Sequence, residues 1–456
     1  MLERIFEVSI VELLAPPAEA VPVVVDLGEE PVPGSGGVHA EQLRDLAGWL
    51  PDSTRQRVAA RLESLDLGRL RDRGARLRSV GRSQLAGALA GYYAGSVTPY
   101  GLYGADVDGQ SVLTSVLTRP EWVDLTVALT SDTDRIVLAD VELDTVGRID
   151  HVSDHEAVDQ LAEAAAFGVR MTNRPLYRLL DVDIRDGVIT GSVGLAHFGV
   201  YALTMNLLEG ELADVLVAGR SGELPLRDRH MPDLAAVLDL NSRLCAGGVA
   251  GLCAIARPAD VYRGPADYAL LVQERSGQVI NAAGRLAVIP KGFHEPLNDV
   301  RADAPIGATL RREMEEELFG RVDVDSTANV SRAAVPMHPG RLSAPMHWLL
   351  DAPGRLRTEC TGFGLNLVSG NYEFAGLVVV DDEEFWSRFA GDIESNWESS
   401  GLRLYSSLDR ALISKLVMDE SWTNEGLFAF LQGLRRLREI GGSRVDLPDV
   451  EVTSRR

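Results

Sequence analysis

The sequence predicts an α+β protein built from at least two units. Three observations carry this expectation. Apolar runs of strand length occur in both halves of the chain, helix-compatible apolar spacing also occurs in both halves, and 456 residues exceed what one compact core normally holds.

The opening residues 4–14 and 21–27 are rich in Val, Ile and Leu and flank Pro16-Pro17, which reads as two strands and a turn closed by the Pro/Gly stretch Pro31 to Gly37. From about His39 to Tyr93, Leu43, Leu46, Leu50, Val58 and Leu62 recur at helical spacing, with Pro51 marking a break. Between Gln110 and Gly219 the runs Leu125–Leu129 and Arg135–Val141 read as strands and His155 to Phe167 as a helix, giving an α+β N-terminal region over residues 1–225. The turn-rich and charged stretch from Arg220 to Pro232 is the expected boundary.

Beyond the boundary, Asp233 to Leu244 reads as a helix, and Asp267–Arg275 and Leu286–Pro290 read as strands. Cys245–Gly251 lacks the Gly-Lys-Ser/Thr ending of a phosphate loop and reads as a packed or bending segment. Gly362–Val368 and Tyr372–Val380 around Ser369-Gly370-Asn371 give a hairpin signal. Helices follow at Glu383–Phe389 and Asn424–Arg438, and residues 441–456 read as a flexible tail.

The formal charge of -22 disfavours nucleic acid and anionic lipid as partners, since those polyanions are met by clustered Lys and Arg. The basic cluster Arg69, Arg71, Arg73, Arg76, Arg78 and Arg82 reads as a solvated or acid-paired helix face ahead of a phosphate contact. Cys245, Cys253 and Cys360 are too few and too irregular for a disulfide framework or a four-thiolate zinc site, which fits a reducing cytoplasm. The first residues lack a basic start and apolar core, and no apolar run is long enough to span a bilayer, so no membrane partner is expected.

The chemistry concentrates between Asp303 and Leu318. On a helix there, Glu313, Glu316 and Glu317 stand at i, i+3 and i+4, projecting three carboxylates from one face, while Leu310, Met314 and Leu318 line a neighbouring face that can bury. Clustered carboxylates repel one another, and hard oxygen donors of this kind suit Mg²⁺ or Mn²⁺. The plain alternative is a solvated face with Arg311 or Arg312 paired to Glu315 or Glu316 at i, i+4. His151 and His155 between Asp150 and Asp154 resemble a metal cluster, but Ser153-Asp154-His155-Glu156 reads first as a capping box.

Arg312-Glu313-Met314-Glu315-Glu316-Glu317 resembles the second half of the Nudix signature, Arg-Glu-aliphatic-x-Glu-Glu, and Pro290-Lys291-Gly292 resembles the Pro-Gly-Gly that introduces the family's loop. The resemblance covers roughly residues 235–440, with Val330 to Leu356 as an insertion. It implies a Nudix-type mixed sheet between helices, Glu313, Glu316 and Glu317 as Mg²⁺ or Mn²⁺ ligands, and Arg312 orienting the carboxylates.

The departures are specific. Ala304 stands where the family's single Glu belongs, Asn298 where its loop Gly belongs, and Phe319 where its terminal Gly belongs. Counting from Gly292 instead lengthens the loop by about six residues and offers Glu295, Asp299 or Asp303 as the missing carboxylate. The activity implied is metal-dependent hydrolysis of a nucleoside-diphosphate-linked compound. In that reading Arg312, Glu313, Glu316, Glu317 and Glu295 form the catalytic group, with His294 a further candidate base. Lys291, Gly292, Phe293 and Trp348 meet substrate, and Trp397 is another stacking candidate. The alternative is a catalytically altered Nudix-like ligand-binding or regulatory module whose N-terminal region transmits its state to a protein partner.

Overall fold

The computed structural model describes residues 50–95, 99–139, 155–167, 169, 173–219, 223–275, 284–321, 337–393 and 399–455. The expected strands at 4–14 and 21–27, the Pro31–Gly37 turn, the linker residues 220–222, His151 with the start of its capping box, and Trp397 lie outside them.

The protein is α+β. Three helices open it, α1 (Asp52–Glu63), α2 (Leu67–Arg78) and α3 (Arg82–Tyr92). Strands β1 (Gly101–Val107), β2 (Gln110–Thr118), β3 (Val127–Ala128) and β4 (Asp134–Leu138) follow, then α4 (His155–Phe167), β5 (Pro175–Arg185) and β6 (Val188–His197). Four helices, α5 (Phe198–Ala202), α6 (Leu207–Val217), α7 (Pro225–His230) and α8 (Leu234–Leu238), lead to β7 (Gly247–Arg257), β8 (Asp267–Arg275), β9 (Leu286–Val288) and β10 (Lys291–Phe293). The remaining elements are α9 (Ile306–Glu313), α10 (Ala344–Asp351), β11 (Leu356–Asn366), β12 (Asn371–Val380), α11 (Glu383–Phe389), β13 (Ser399–Ser406), α12 (Arg410–Val417), α13 (Asn424–Ile440) and β14 (Val450–Arg455).

Among the described residues, eleven strands form one mixed sheet in the order β13-β8-β7-β12-β11-β2-β1-β14, with β10, β3 and β9 attached to β7, β11 and β8. The central β7 and β12 run parallel, and their neighbours run antiparallel. Helix α9 and the turn that follows it bury Leu310 and Met314 with Phe374 and Val378 on one face. Helix α13 buries Leu427, Phe428, Leu431 and Leu434 with Ala375, Leu377 and Val379 on the other. A second sheet, β4-β6-β5, joins the first through backbone bonds from Tyr177 N to His294 O (2.9 Å) and Leu179 N to Cys245 O (2.8 Å).

Two expectations are corrected. Strands β1 and β2 of the expected N-terminal region pair into the main sheet, β2 meeting β11 at Leu117↔Leu365, so the boundary at 225–235 does not divide the sheet. Residues 450–455, expected within a flexible tail, pair antiparallel with β1 along its length. The glycine-rich run at Cys245–Gly251 enters β7, a fully buried central strand. Its glycines reflect close approach: a Cβ on Gly248 would lie 2.0 Å from Gly292 O.

Candidate functional site

The expected acidic helix forms, but not as one regular α-helix. Beyond Glu313 it widens into a π turn over Met314–Leu318, so the even i, i+3, i+4 presentation of three carboxylates is redistributed. Glu313 and Glu317 turn toward the sheet and are buried, Glu316 is half-buried, and Glu315 points elsewhere. Glu315 is fully buried and accepts from Ser343 N (3.0 Å), Ser343 Oγ (3.1 Å) and Arg321 Nη1 (3.1 Å). That anchors the start of α10, which Ser343 caps through Met346 N.

The helix's own N-terminus is fixed from the other half of the chain. Asp134 of β4 accepts from Gly307 N at 2.7 Å, and it is buried enough that desolvation raises its pKa despite the bonds from Gly307 and Ile306.

Strand β10 is the floor of the site. It follows the cis Ile289-Pro290 bond and pairs with β7, Lys291 opposite Ala250 and Gly292 opposite Val249. Glu317 Oε2 accepts from Lys291 N at 2.6 Å, and its Oε1 accepts from Gln273 Nε2 at 3.3 Å. Glu313 lies on Gly292, where an added Cβ would stand 2.0 Å from Oε1. Arg312 Nη2 donates to Glu313 Oε1 (2.6 Å) and Phe293 O (3.0 Å), and its Nη1 lies 3.9 Å from Glu295 Oε2. Burial opposes the guanidinium charge, but the carboxylates of Glu313, Glu316 and Glu295 outweigh it and leave the Arg312 pKa raised. Of the pairings expected at i, i+4, the attraction between Arg312 and Glu316 is kept, whereas Glu315 pairs with Arg321.

The loop carboxylates separate in role. Glu295 approaches Arg312, whereas Asp303 Oδ2 accepts from the backbone N–H groups of Leu297 (2.8 Å), Asn298 (2.9 Å) and Asp299 (3.1 Å). Asp299 likewise accepts from Arg301 N and Ala302 N, so both aspartates shape the longer loop from within. Ala304 is fully buried.

Three expected contact residues are engaged elsewhere. His294 is fully buried, bonds Tyr372 OH through Nδ1 at 2.8 Å, and has its pKa pushed down to about 3 by burial, so it is a neutral packing residue and does not meet water as a base. Phe293 packs edge-on against Phe198 (5.4 Å) and Tyr201 (5.1 Å). Trp348 donates to Asp382 Oδ2 (2.9 Å) and is flanked by the guanidinium groups of Arg355 and Arg388 at 3.8 and 4.3 Å from its ring. Neither ring is poised to stack on a base in this arrangement.

Lys291 reaches through to the α13 face, because its pairing partner Ala250 belongs to that core. There its Nζ meets Glu425 Oε1 at 2.6 Å, and Asn366 Nδ2 donates to Glu425 Oε2 at 3.1 Å. Burial works to raise the Glu425 pKa, and Lys291 outweighs it, leaving the value lowered. Glu373 on β12 is 6% exposed, and burial together with the charge of Glu425 raises its pKa well above the ordinary range. Gln273, Glu373 and Glu425 had no motif to announce them, since they come from separate strands and a helix that meet only in the fold.

Among the described residues, no three His, Cys, Asp or Glu side chains converge closely enough to hold a metal ion as they stand. The donor chemistry at β10 is nonetheless all oxygen, which fits a hard divalent cation. Each carboxylate oxygen has two lone pairs, so an accepted hydrogen bond does not exhaust it. Among the described residues no helix is long and apolar enough to cross a membrane. The chain matches no family model, and no curated protein matches it.

Proposed function

We propose that the chain is a Nudix-type, metal-dependent hydrolase of a nucleoside-diphosphate-linked compound. The observation that carries the reading is the placement of Glu313 and Glu317 side by side on the Lys291-Gly292 backbone, joined by Arg312 and Glu295. Mg²⁺ or Mn²⁺ bound by Glu313, Glu316 and Glu317 would stabilise charge developing on the diphosphate oxygens. Arg312 holds Glu313 in place, and Lys291 N–H fixes Glu317. Glu295, half-buried beside Arg312, takes the proton of the attacking water.

The test is release of phosphate or nucleotide from a panel of nucleoside-diphosphate compounds with Mg²⁺ or Mn²⁺. Turnover should fall by roughly 100-fold or more in a folded Glu316→Gln, Glu317→Gln variant. Equal turnover by that variant would sink the assignment.

A second reading, a ligand-binding or regulatory module of the same type, draws support from Asp299 and Asp303 being spent on loop backbone and from Ala304 at the position of the signature's single Glu. It predicts saturable nucleotide binding with no turnover across the panel. In either reading a protein partner would meet the N-terminal region, and the cytoplasm remains the proposed location.

A further inference from the structure

The carboxylates on β10 have a support that crosses the sheet. In the antiparallel pairing of β10 with β7, Pro290 O accepts from Gly251 N (2.8 Å) and His294 N donates to Gly247 O (2.9 Å). Hydrogen-bonding direction alternates along a strand, so the N–H of Lys291 points away from β7. Glu317 Oε2 takes it there at 2.6 Å. Strand β10 is three residues long and, among the described residues, pairs with β7 alone. The ladder therefore does not fix Lys291 on the side that Glu317 needs.

The Lys291 side chain is tied on the other face. Its Nζ meets Glu425 Oε1 at 2.6 Å, and Asn366 Nδ2 donates to Glu425 Oε2 at 3.1 Å. Asn366 Oδ1 in turn accepts from Ser115 Oγ at 2.8 Å. Ser115 N also donates to Asn424 Oδ1 at 2.9 Å, so one residue of β2 grips both Asn366 and Asn424 beside Glu425. Ser115, Asn366, Asn424 and Glu425 are all buried, where such bonds are strengthened by the exclusion of water. Four bonds thus lead from Ser115 in the N-terminal half, through Asn366, Glu425 and Lys291, to Glu317.

Removing the Glu425 charge leaves the Lys291 ammonium without its ion pair at a side chain only 14% exposed. An unpaired charge in such a setting is unfavourable, and Lys291 gains by turning toward water, which takes its N–H off Glu317. We propose that Glu425 is a positioning residue of the candidate site, acting through Lys291 to hold the Lys291 N–H on Glu317, with Ser115 of the N-terminal half supporting it through Asn366. The effect on metal binding rests on the hydrolase reading, in which Glu317 is a ligand, whereas the tether does not.

Lys291 and Lys415 are the two lysines of the chain, so ¹⁵N-lysine labelling of the full protein gives two backbone amide signals. Lys415 lies within α12 and reports an intact fold. In Glu425→Gln, which keeps size and removes the charge, hydrogen exchange at the Lys291 amide should quicken about tenfold or more while Lys415 stays unchanged. Titrated Mn²⁺ should bind about tenfold more weakly, as when a metal ligand loses an outer partner. Lys291→Met should weaken Mn²⁺ to the same extent, and the double variant no further, because both changes cut one connection. Ser115→Ala is the milder change and should quicken the Lys291 amide in the same direction, which decides the matter where Glu425→Gln disturbs the Lys415 signal. An unchanged Lys291 amide in a folded variant, or Mn²⁺ losses that add in the double variant, would overturn the proposal. A quickened Lys291 amide with no Mn²⁺ binding by the intact protein would uphold the tether and sink the metal reading instead.

Discussion

Gly292 is the residue on which the candidate site turns, because the end of the Glu313 side chain occupies the volume a methyl group would fill. Gly292→Ala must therefore move Glu313 away from Arg312, whose guanidinium then keeps a weaker partner in a buried setting. The expected stability loss is about 1–3 kcal/mol, the range for overpacking, read by chemical denaturation. In the hydrolase reading, turnover should fall by more than that loss explains. Unchanged stability would show that the close approach of Glu313 is not present in solution. Glu373 supplies a pH signature on the opposite face. Its folded pKa stands well above 4.5, so the native state holds the proton more tightly than the unfolded chain. The associated stability is present at low pH and is lost as pH rises above 4.5 toward the raised value. Glu373→Gln removes this dependence, and its thermal-midpoint advantage over the parent should widen between about pH 4 and 8. A constant or shrinking advantage would contradict the assigned direction.

The expected strands at Asp267–Arg275 and helices at His155–Phe167 and Glu383–Phe389 occur at those residues, because each carries its own periodicity and end signals. The hairpin around Gly370 was legible for the same reason, with Gly370 at a φ of 72°. Strand β7 was not legible, since glycine weakens a local strand signal and its value here is the tight packing of Gly248 on Gly292. Helix α9 was half legible: sequence spacing gave its carboxylates and set Glu315 apart from Glu313 and Glu317, but neither the π turn over Met314–Leu318 nor the distant partners Ser343 and Gln273 has a local signal. Its cap was invisible because Asp134 lies 173 residues upstream of Gly307. That cap gives a prediction for the element. Asp134→Ala should cost about 1–2 kcal/mol, as for loss of a helix cap. Asp134→Asn keeps the acceptor and removes a buried charge, so it should cost much less, and a denaturation curve for each variant separates them. Equal losses would mean that the charge and not the hydrogen bond holds the helix.

For the whole molecule the decisive feature is that sequence order and spatial order disagree. A boundary near 225–235 looked natural because turn residues and charge cluster there, and long-range strand pairing leaves no local trace. In the fold, β2 closes against β11, and the α13 core takes in Tyr103, Val107, Val112 and Val116 from the N-terminal half. Polar contacts cross the same seam: Gln432 Nε2 donates to Tyr103 OH at 2.9 Å, and Ser115 N donates to Asn424 Oδ1 at 2.9 Å. A fragment of residues 235–456 would uncover Phe428 on the α13 face, break these bonds and leave β14 without its partner β1. Unpaired strand edges and exposed apolar surface favour association over folding. The fragment should therefore lack a cooperative thermal transition and bind a hydrophobic dye, whereas a chain beginning at residue 50 keeps every seam contact named above. A sharp transition with native-like near-ultraviolet dichroism in the 235–456 fragment would establish that the sheet's second half folds alone, and that β1, β2 and β14 only extend it.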